Sequence, residues 1–197
     1  PTQDNPELLP TLELSDLSSE VKMPAFSVGK EAQATIYRAP AATGGLTYLS
    51  AQIDLIGLST EEEDLLPFYA FALTRNGAGE LGEVALTRAI DAATGGIQAA
   101  ASSHLRAEGT EPLSLSLTLD GKALSQNADK LIELTALILE KPVFSEERLK
   151  QLLAQRIASF RARLVGSGNA YAALLAGAQV SPQEALSERQ SGFSAFE

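Results

Sequence analysis

Between Leu113 and Asp120 the chain reads Leu-Ser-Leu-Ser-Leu-Thr-Leu-Asp. An alternation this strict suits one backbone geometry. Successive side chains of a β-strand point to opposite faces, so the leucines line one face and the hydroxyls and carboxylate the other. A second segment, Leu46–Leu55, shows the same pattern, with Leu49, Ala51, Ile53 and Leu55 against Ser50, Gln52 and Asp54. A third runs from Ile97 towards Arg106, where Ile97, Ala99 and Ala101 alternate with Gln98, Ala100 and Ser102. Gly109 and Pro112 separate it from Leu113, as in an antiparallel hairpin. Strands that are apolar on one side and polar on the other call for a covering layer on the apolar side alone.

The segments between and after these strands read as helices. Ser59 and Thr60 each stand three residues before a glutamate, Glu62 and Glu63, which is the spacing of a capping box. The acidic run 61–64 then places carboxylates at the positive end of a helix dipole, and a cap explains it better than a metal site does. Residues 65–73 are apolar on every side, as in a helix buried between a sheet and a second helix, with Pro67 restricting where it begins. Gly77-Ala78-Gly79-Glu80-Leu81-Gly82 spells GxGxxG, but a dinucleotide site needs a strand before the glycines and here a helix precedes them. A helix-to-helix turn is the better reading. Glu83–Ala93 follows with Val84, Thr87, Ile90 and Ala93 at helical spacing, stopped by Gly95 or Gly96. Ser125 or Asn127 caps a helix that Pro142 ends. Ser145 opens a longer one, with Glu146 and Glu147 first and Arg161 and Arg163 last. A short helix covers residues 170–176, and Ser181-Pro182-Gln183-Glu184 starts another.

Residues 32–38 read as a further short strand, joined to Leu46 by a hairpin turn built from Ala39-Pro40 and Gly44-Gly45. Before it, Pro1, Pro6, Pro10 and Pro24 punctuate a stretch with little periodicity. Residues 1–28 are therefore expected to be an extended connector, with Leu12, Leu14 and Leu17 able to dock, and residues 29–197 a single domain. The connector-like start and the SGFSAFE end read as a piece of a larger multidomain chain. The expected fold class is α+β, a two-layer sandwich in which a mainly antiparallel sheet of four or more strands carries paired helices on one face.

Chemistry is sparse. A formal net charge of −10 repels a phosphate backbone and argues against nucleic acid as a partner. No apolar run approaches the roughly 18–20 residues of a bilayer span, so no membrane partner is expected, and a soluble location in the cytoplasm or an organelle matrix is. The absence of cysteine removes disulfides, thiolate zinc sites and cysteine nucleophiles. His104 is the single histidine, whereas a His-based zinc site needs two or three. As the base of a serine nucleophile it would have to work with Ser102, which shares its side of the strand. Ser103 faces the other way, and no nucleophile-elbow sequence accompanies them. His104 thus reads as a polar-face strand residue. Arg148, Arg156, Arg161 and Arg163 could meet a partner's carboxylate, but a solvated helix face is the better reading.

The order of LPTLELSDL (residues 9–17), LTYLSAQIDLIGLS (residues 46–59), the helix through residues 64–69 and TGGIQAAAS (residues 94–102) resembles the repeated domain of the pitrilysin and insulinase family of zinc metallopeptidases. Within the family it is most similar to the non-catalytic third domain of the presequence-protease branch. The likeness covers residues 9–190 and rests on the succession of segments rather than on one motif. It implies four such domains in two halves that close around a peptide-sized chamber, with zinc in the first domain. There an H-x-x-E-H helix binds the metal through two histidines one turn apart, and the glutamate activates water. With TGGIQAAAS set on the family's return strand, that motif falls on Leu65, Leu66, Pro67, Phe68 and Tyr69, so both histidines and the glutamate are replaced. The family's more distant glutamate ligand falls near Gln151 or Gln155.

The resemblance therefore implies no catalytic residue, metal or cofactor in this chain, zinc in a parent protein, and other domains of that protein together with its peptide substrates as partners. The leading expectation is a non-catalytic domain that forms part of a substrate chamber, with Gln98, Ser102 and His104 as a peptide-facing surface. Burial of those side chains under the domain's own helices would exclude that surface. A stand-alone scaffold or binding subunit of the same fold is the competing reading, and a small hydrolase using Ser102 and His104 is a third.

Overall fold

The computed structural model describes Asp16, residues 25–105 and residues 113–196. Leu12, Leu14, Leu17, Gly109 and Pro112 lie outside the described residues. The chain divides into two units, Pro1–Gly44 and Gly45–Glu197.

The described part of the first unit is a hairpin of β1 (Ser27–Glu31) and β2 (Ala34–Arg38). The strands are antiparallel, with Val28 opposite Tyr37 and Glu31 opposite Ala34, which leaves Ala32 and Gln33 as the turn. Ala32 takes a φ of 53°, a left-handed conformation that disfavours a Cβ. This corrects the pairing expected from the sequence, in which residues 32–38 turned back through Ala39–Gly45 onto the Leu46 strand. Alternation shows which residues share a face but not which strand lies alongside, and Gly29 interrupts the pattern of the partner, SVGKE.

The second unit contains, in chain order, β3 (Leu46–Leu55), α1 (Thr60–Leu73), β4 (Gly77–Ala78), α2 (Glu83–Ala93), β5 (Ile97–Leu105), β6 (Leu113–Leu124), α3 (Ala128–Glu140), β7 (Pro142–Val143), α4 (Glu146–Leu164), α5 (Gly168–Gly177) and α6 (Pro182–Ser191). The main sheet has the order β3-β6-β5 and is antiparallel throughout. It has three strands among the described residues, rather than four or more, because β2 pairs with β1. Its register puts Ala51, Leu119 and Ala99 side by side on one face and Ser50, Asp120 and Gln98 on the other. The first face is packed: Leu117 and Leu119 of the sheet meet Ala70 and Leu73 of α1, Leu86 and Ile90 of α2, and Leu131, Leu134 and Ile138 of α3. Ser50, Gln52, Asp54, Gln98 and Asp120 on the other face are exposed. The fold is thus α+β, with helices on one face of the sheet.

Two glycines are fixed by close approach. A Cβ at Gly121 would lie 2.6 Å from Leu131 Cδ1, so any side chain there would force the buried Leu131 of α3 to shift. Gly79, at a φ of 58°, faces Leu137 in the same way and sits in the GxGxxG turn. That turn is no phosphate cradle: Gly77–Ala78 pairs with β7, Ala78 and Leu81 exchange backbone hydrogen bonds, and Gly79 N–H donates to Lys141 O at 2.8 Å.

The caps refine the sequence reading. Ser59 caps α1 in a complete capping box with Glu62, and the Ser145 and Ser181 hydroxyls accept from backbone amides of α4 and α6. Asn127 stands at the N-cap position of α3, but neither it nor Ser125 caps the helix through its side chain. The Asn127 amide donates instead to Ala93 O at 3.1 Å, tying the start of α3 to the end of α2, and the Ser125 hydroxyl donates to Gly45 O at 3.0 Å.

Candidate functional site

Helix α1 begins five residues before the apolar run and passes straight through Pro67. Proline inside a helix cannot donate to the carbonyl four residues earlier, here that of Glu63. The Gln190 side chain of α6 donates to Glu63 O at 2.7 Å and so takes the place of the missing amide. Next to it, Arg189 pairs with Asp64 and with Glu63, both at 2.8 Å. The carboxylates hold the Arg189 guanidinium above its ordinary pKa, Asp64 most strongly and against some loss from burial. The acidic run therefore has two structural roles. Glu62 completes the cap, its own pKa lowered by the backbone and side-chain hydrogen bonds of Ser59, while Glu63 and Asp64 hold α6. The cap was legible in the sequence, but the clamp needed Arg189, more than a hundred residues away.

The positions that the resemblance sets against the zinc motif lie on the middle of α1. Leu66 is buried and Phe68 half-buried, while Leu65 and Tyr69, one turn apart, are 61% and 39% exposed. The expectation of a helix buried on all sides is thus corrected. Leu66, Ala70 and Leu73 form its buried stripe, and Leu65 and Tyr69 lie away from it. Uniform apolarity hid this, since no polar residue marks the outer face. The Tyr69 ring packs against Phe144, with centroids 5.7 Å apart. An isobutyl group and two aromatic rings offer zinc none of the nitrogen, thiolate or carboxylate ligands it takes, so these residues do not fit the metal. Gln151 and Gln155 are exposed on α4, and the Gln151 carbonyl oxygen accepts from Arg148. Among the described residues no group of three or more His, Cys, Asp or Glu side chains could hold a metal ion.

The second set of residues lies on the open face of the sheet. Gln98 and His104 are exposed at either end of β5, and Ser102 between them is half-buried. The Ser102 hydroxyl is 3.0 Å from that of Ser116, its partner across the sheet. His104 stands opposite Ser114, and among the described residues no carboxylate is hydrogen-bonded to it. A row across the strands runs from Asp54 through Ser116 to Ser102, which places that acid two strands, about 9–10 Å, from Ser102. Ser102 and His104 thus share a face, but no acid-oriented nucleophile is assembled from them, and the reading as a small hydrolase loses its support. Ser103 belongs to the opposite face, and its carbonyl accepts from Gln183 of α6 at 3.0 Å.

Two shallow clefts lie among the described residues of the second unit. One, of about 340 Å³, lies where α2 ends, among Asp91, Thr94, Lys122 and Asn127. The other, of about 330 Å³, lies between Gly82 and Ser145, where Arg148 and Glu83 are paired at 2.7 Å. With the Asn127 amide and the Arg148–Glu83 pair already engaged, neither cleft gathers groups poised for chemistry.

The described surfaces thus combine a motif-like helix without ligands and a polar sheet face without a nucleophile. The family model described as peptidase M16 (subfamily C) associated matches residues 1–197. The chain belongs to this family. This peptidase-associated sequence is 30% identical over 201 residues to presequence protease 1, chloroplastic/mitochondrial, of Arabidopsis thaliana, a match covering 100% of this chain and 18% of the relative. The mitochondrial presequence protease of Yarrowia lipolytica is 28% identical over 94% of the chain and 19% of its own length. That of Drosophila melanogaster is 25% identical over 90% and 17%. The peptidase-associated chain therefore spans less than a fifth of the length of these relatives.

Proposed function

We propose that this chain is a non-catalytic domain of a zinc-dependent peptidase that degrades peptides, where it forms part of the wall of a substrate chamber and packs against other domains of the same protein. One observation supports the reading: in a family associated with peptidases, the helix that the resemblance sets against the metallopeptidase motif carries Leu65, Phe68 and Tyr69, which supply neither the two imidazoles nor the carboxylate of that motif. Zinc would belong to the first domain of the longer protein, and no step of catalysis passes through the residues of this chain. Residues 1–28 would serve as a connector and residues 29–197 as the domain. The exposed Gln98 and His104, with Ser102 between them, would form a polar, peptide-facing surface on the open side of the sheet. An aqueous compartment such as an organelle matrix accords with relatives named as mitochondrial or chloroplastic. Metal analysis of the purified chain, together with a peptide-degradation assay, tests the proposal. The expected result is no stoichiometric zinc and no cleavage, and zinc retention with hydrolysis would overturn it.

A further inference from the structure

Helix α4 has 19 residues, of which only Leu152 is buried. Leu153 and Ile157, four residues apart on one stripe, are 47% and 38% exposed. Arg156 lies between them in sequence. Its guanidinium carbon is 5.2 Å from the centre of the Phe71 ring of α1, and that of Arg75 is 4.2 Å from the same ring. Arg163 follows Arg156 by two turns of α4, on the same side of the helix.

What distinguishes these arginines is that two of them gather on one aromatic ring with no acid between them. Several other cations of the unit are matched: Arg148 with Glu83, Lys150 with Glu146, Lys130 with Glu133, and Arg189 with Glu63 and Asp64. None of Arg75, Arg156 and Arg163 forms an ion pair with a carboxylate among the described residues, although the chain has 25 acidic residues against 15 basic. Burial pulls the pKa of Arg156 down, and the charges of Arg163 and Arg75 add to the effect. Stacking on Phe71 offsets part of the cost of holding two cations together.

We propose that the surface formed by Phe71, Arg75, Arg156 and Arg163, with Leu153 and Ile157 beside it, docks an acidic polypeptide segment. Its carboxylates would pair with the arginines while its apolar side chains cover the two aliphatic residues. A polypeptide fits better than a free anion for two reasons. The planar guanidinium matches a carboxylate with two parallel hydrogen bonds. An inorganic anion would leave Leu153 and Ile157 in water, whereas arginine and aromatic side chains gathered beside apolar ones are the composition of a protein interface. The inference rests on the proposed function only in drawing the segment from another part of a longer protein.

A fluorescein-labelled peptide of Glu-Glu-Leu repeats, titrated with the whole chain and followed by anisotropy, provides the test. The peptide should bind with an affinity that falls as salt is added, and the matched Gln-Gln-Leu peptide should not. Arg156→Leu should weaken binding about tenfold or more, equivalent to about 1.4 kcal/mol. Its thermal midpoint should stay level or rise, because a repulsion is relieved. Arg163→Glu, at an exposed position, should weaken binding similarly, while Arg88→Leu on α2 should leave it unchanged. Absence of binding, equal binding of the glutamine peptide, or unchanged binding by both the Arg156 and Arg163 variants would overturn the proposal. Full displacement of the peptide by inorganic phosphate at equal charge would also overturn it, in favour of a small-anion site. Zinc content and peptide hydrolysis are unaffected by these outcomes, so failure here and failure of the proposed function are separable.

Discussion

Glu188 is a charged residue of α6 that is only 5% exposed. Its carboxylate accepts the backbone N–H of Ser194 at 3.0 Å, which folds the end of the chain back over the helix. The hydrogen bonds from Ser194 hold its pKa below the ordinary carboxylate value of 4.5 and outweigh the opposing effect of burial. A carboxyl group whose folded pKa is depressed contributes stability above its unfolded pKa and loses that contribution as the pH falls through the folded value. Wild type should therefore unfold at higher urea than Glu188→Gln near neutral pH, and the gap should narrow as the pH falls below about 4.5 and close once it has passed the lower folded value. A gap that widened on acidification would contradict the assignment. Nothing in the local sequence distinguishes Glu188 from an exposed helical glutamate, because its partner is defined by how the chain turns at Gly192. Asn127 was half legible for a similar reason: its place at a helix start could be read, but its bond to Ala93, across the packing of α2 and α3, could not.

At the scale of elements, the strands and helices were largely legible, since periodicity and caps are local. The long β3, β5 and β6 and the starts of α1, α4 and α6 all follow from alternation or from a serine three residues before a glutamate or arginine backbone amide. Pairing was less so. Pro67 within α1 is the clearest case, because a helix that continues through a proline is intelligible only once α6 is placed against it. If Gln190 replaces the amide that Pro67 lacks, the two positions are coupled. Gln190→Ala should cost about 1 kcal/mol in the wild-type chain, where Glu63 O loses its partner. In a Pro67→Ala background it should cost close to nothing, since the restored backbone N–H satisfies the same carbonyl. Urea unfolding of the four proteins of this cycle measures the coupling. An equal cost of Gln190→Ala in both backgrounds would show that Gln190 acts independently of the proline.

For the whole molecule, the sequence was most informative about what is missing and least about what is assembled. That Leu65, Phe68 and Tyr69 are not zinc ligands can be read residue by residue, as can the single histidine. The arginine surface joins residues 71 and 75 of α1 to residues 156 and 163 of α4, which no window of sequence contains. The same distinction bears on where the folding unit begins. Among the described residues, the main buried cluster lies between Ala70 and Ile138, and its partly buried neighbours reach back only to Leu49. Burial of that cluster is the dominant favourable term in folding. Placing the boundary at residue 29 or at residue 45 therefore has different consequences. A start at residue 29 cuts β1, which spans Ser27–Glu31, whereas a start at Gly45 leaves β3, its register with β6 and the whole cluster intact. The chain beginning at Gly45 should unfold in a single cooperative transition, with a midpoint close to that of the full chain and a denaturant slope reduced only by the surface of the residues removed. Loss of cooperativity, or a large drop in midpoint, would mean that residues before Gly45 belong to the folding unit and would favour the earlier boundary.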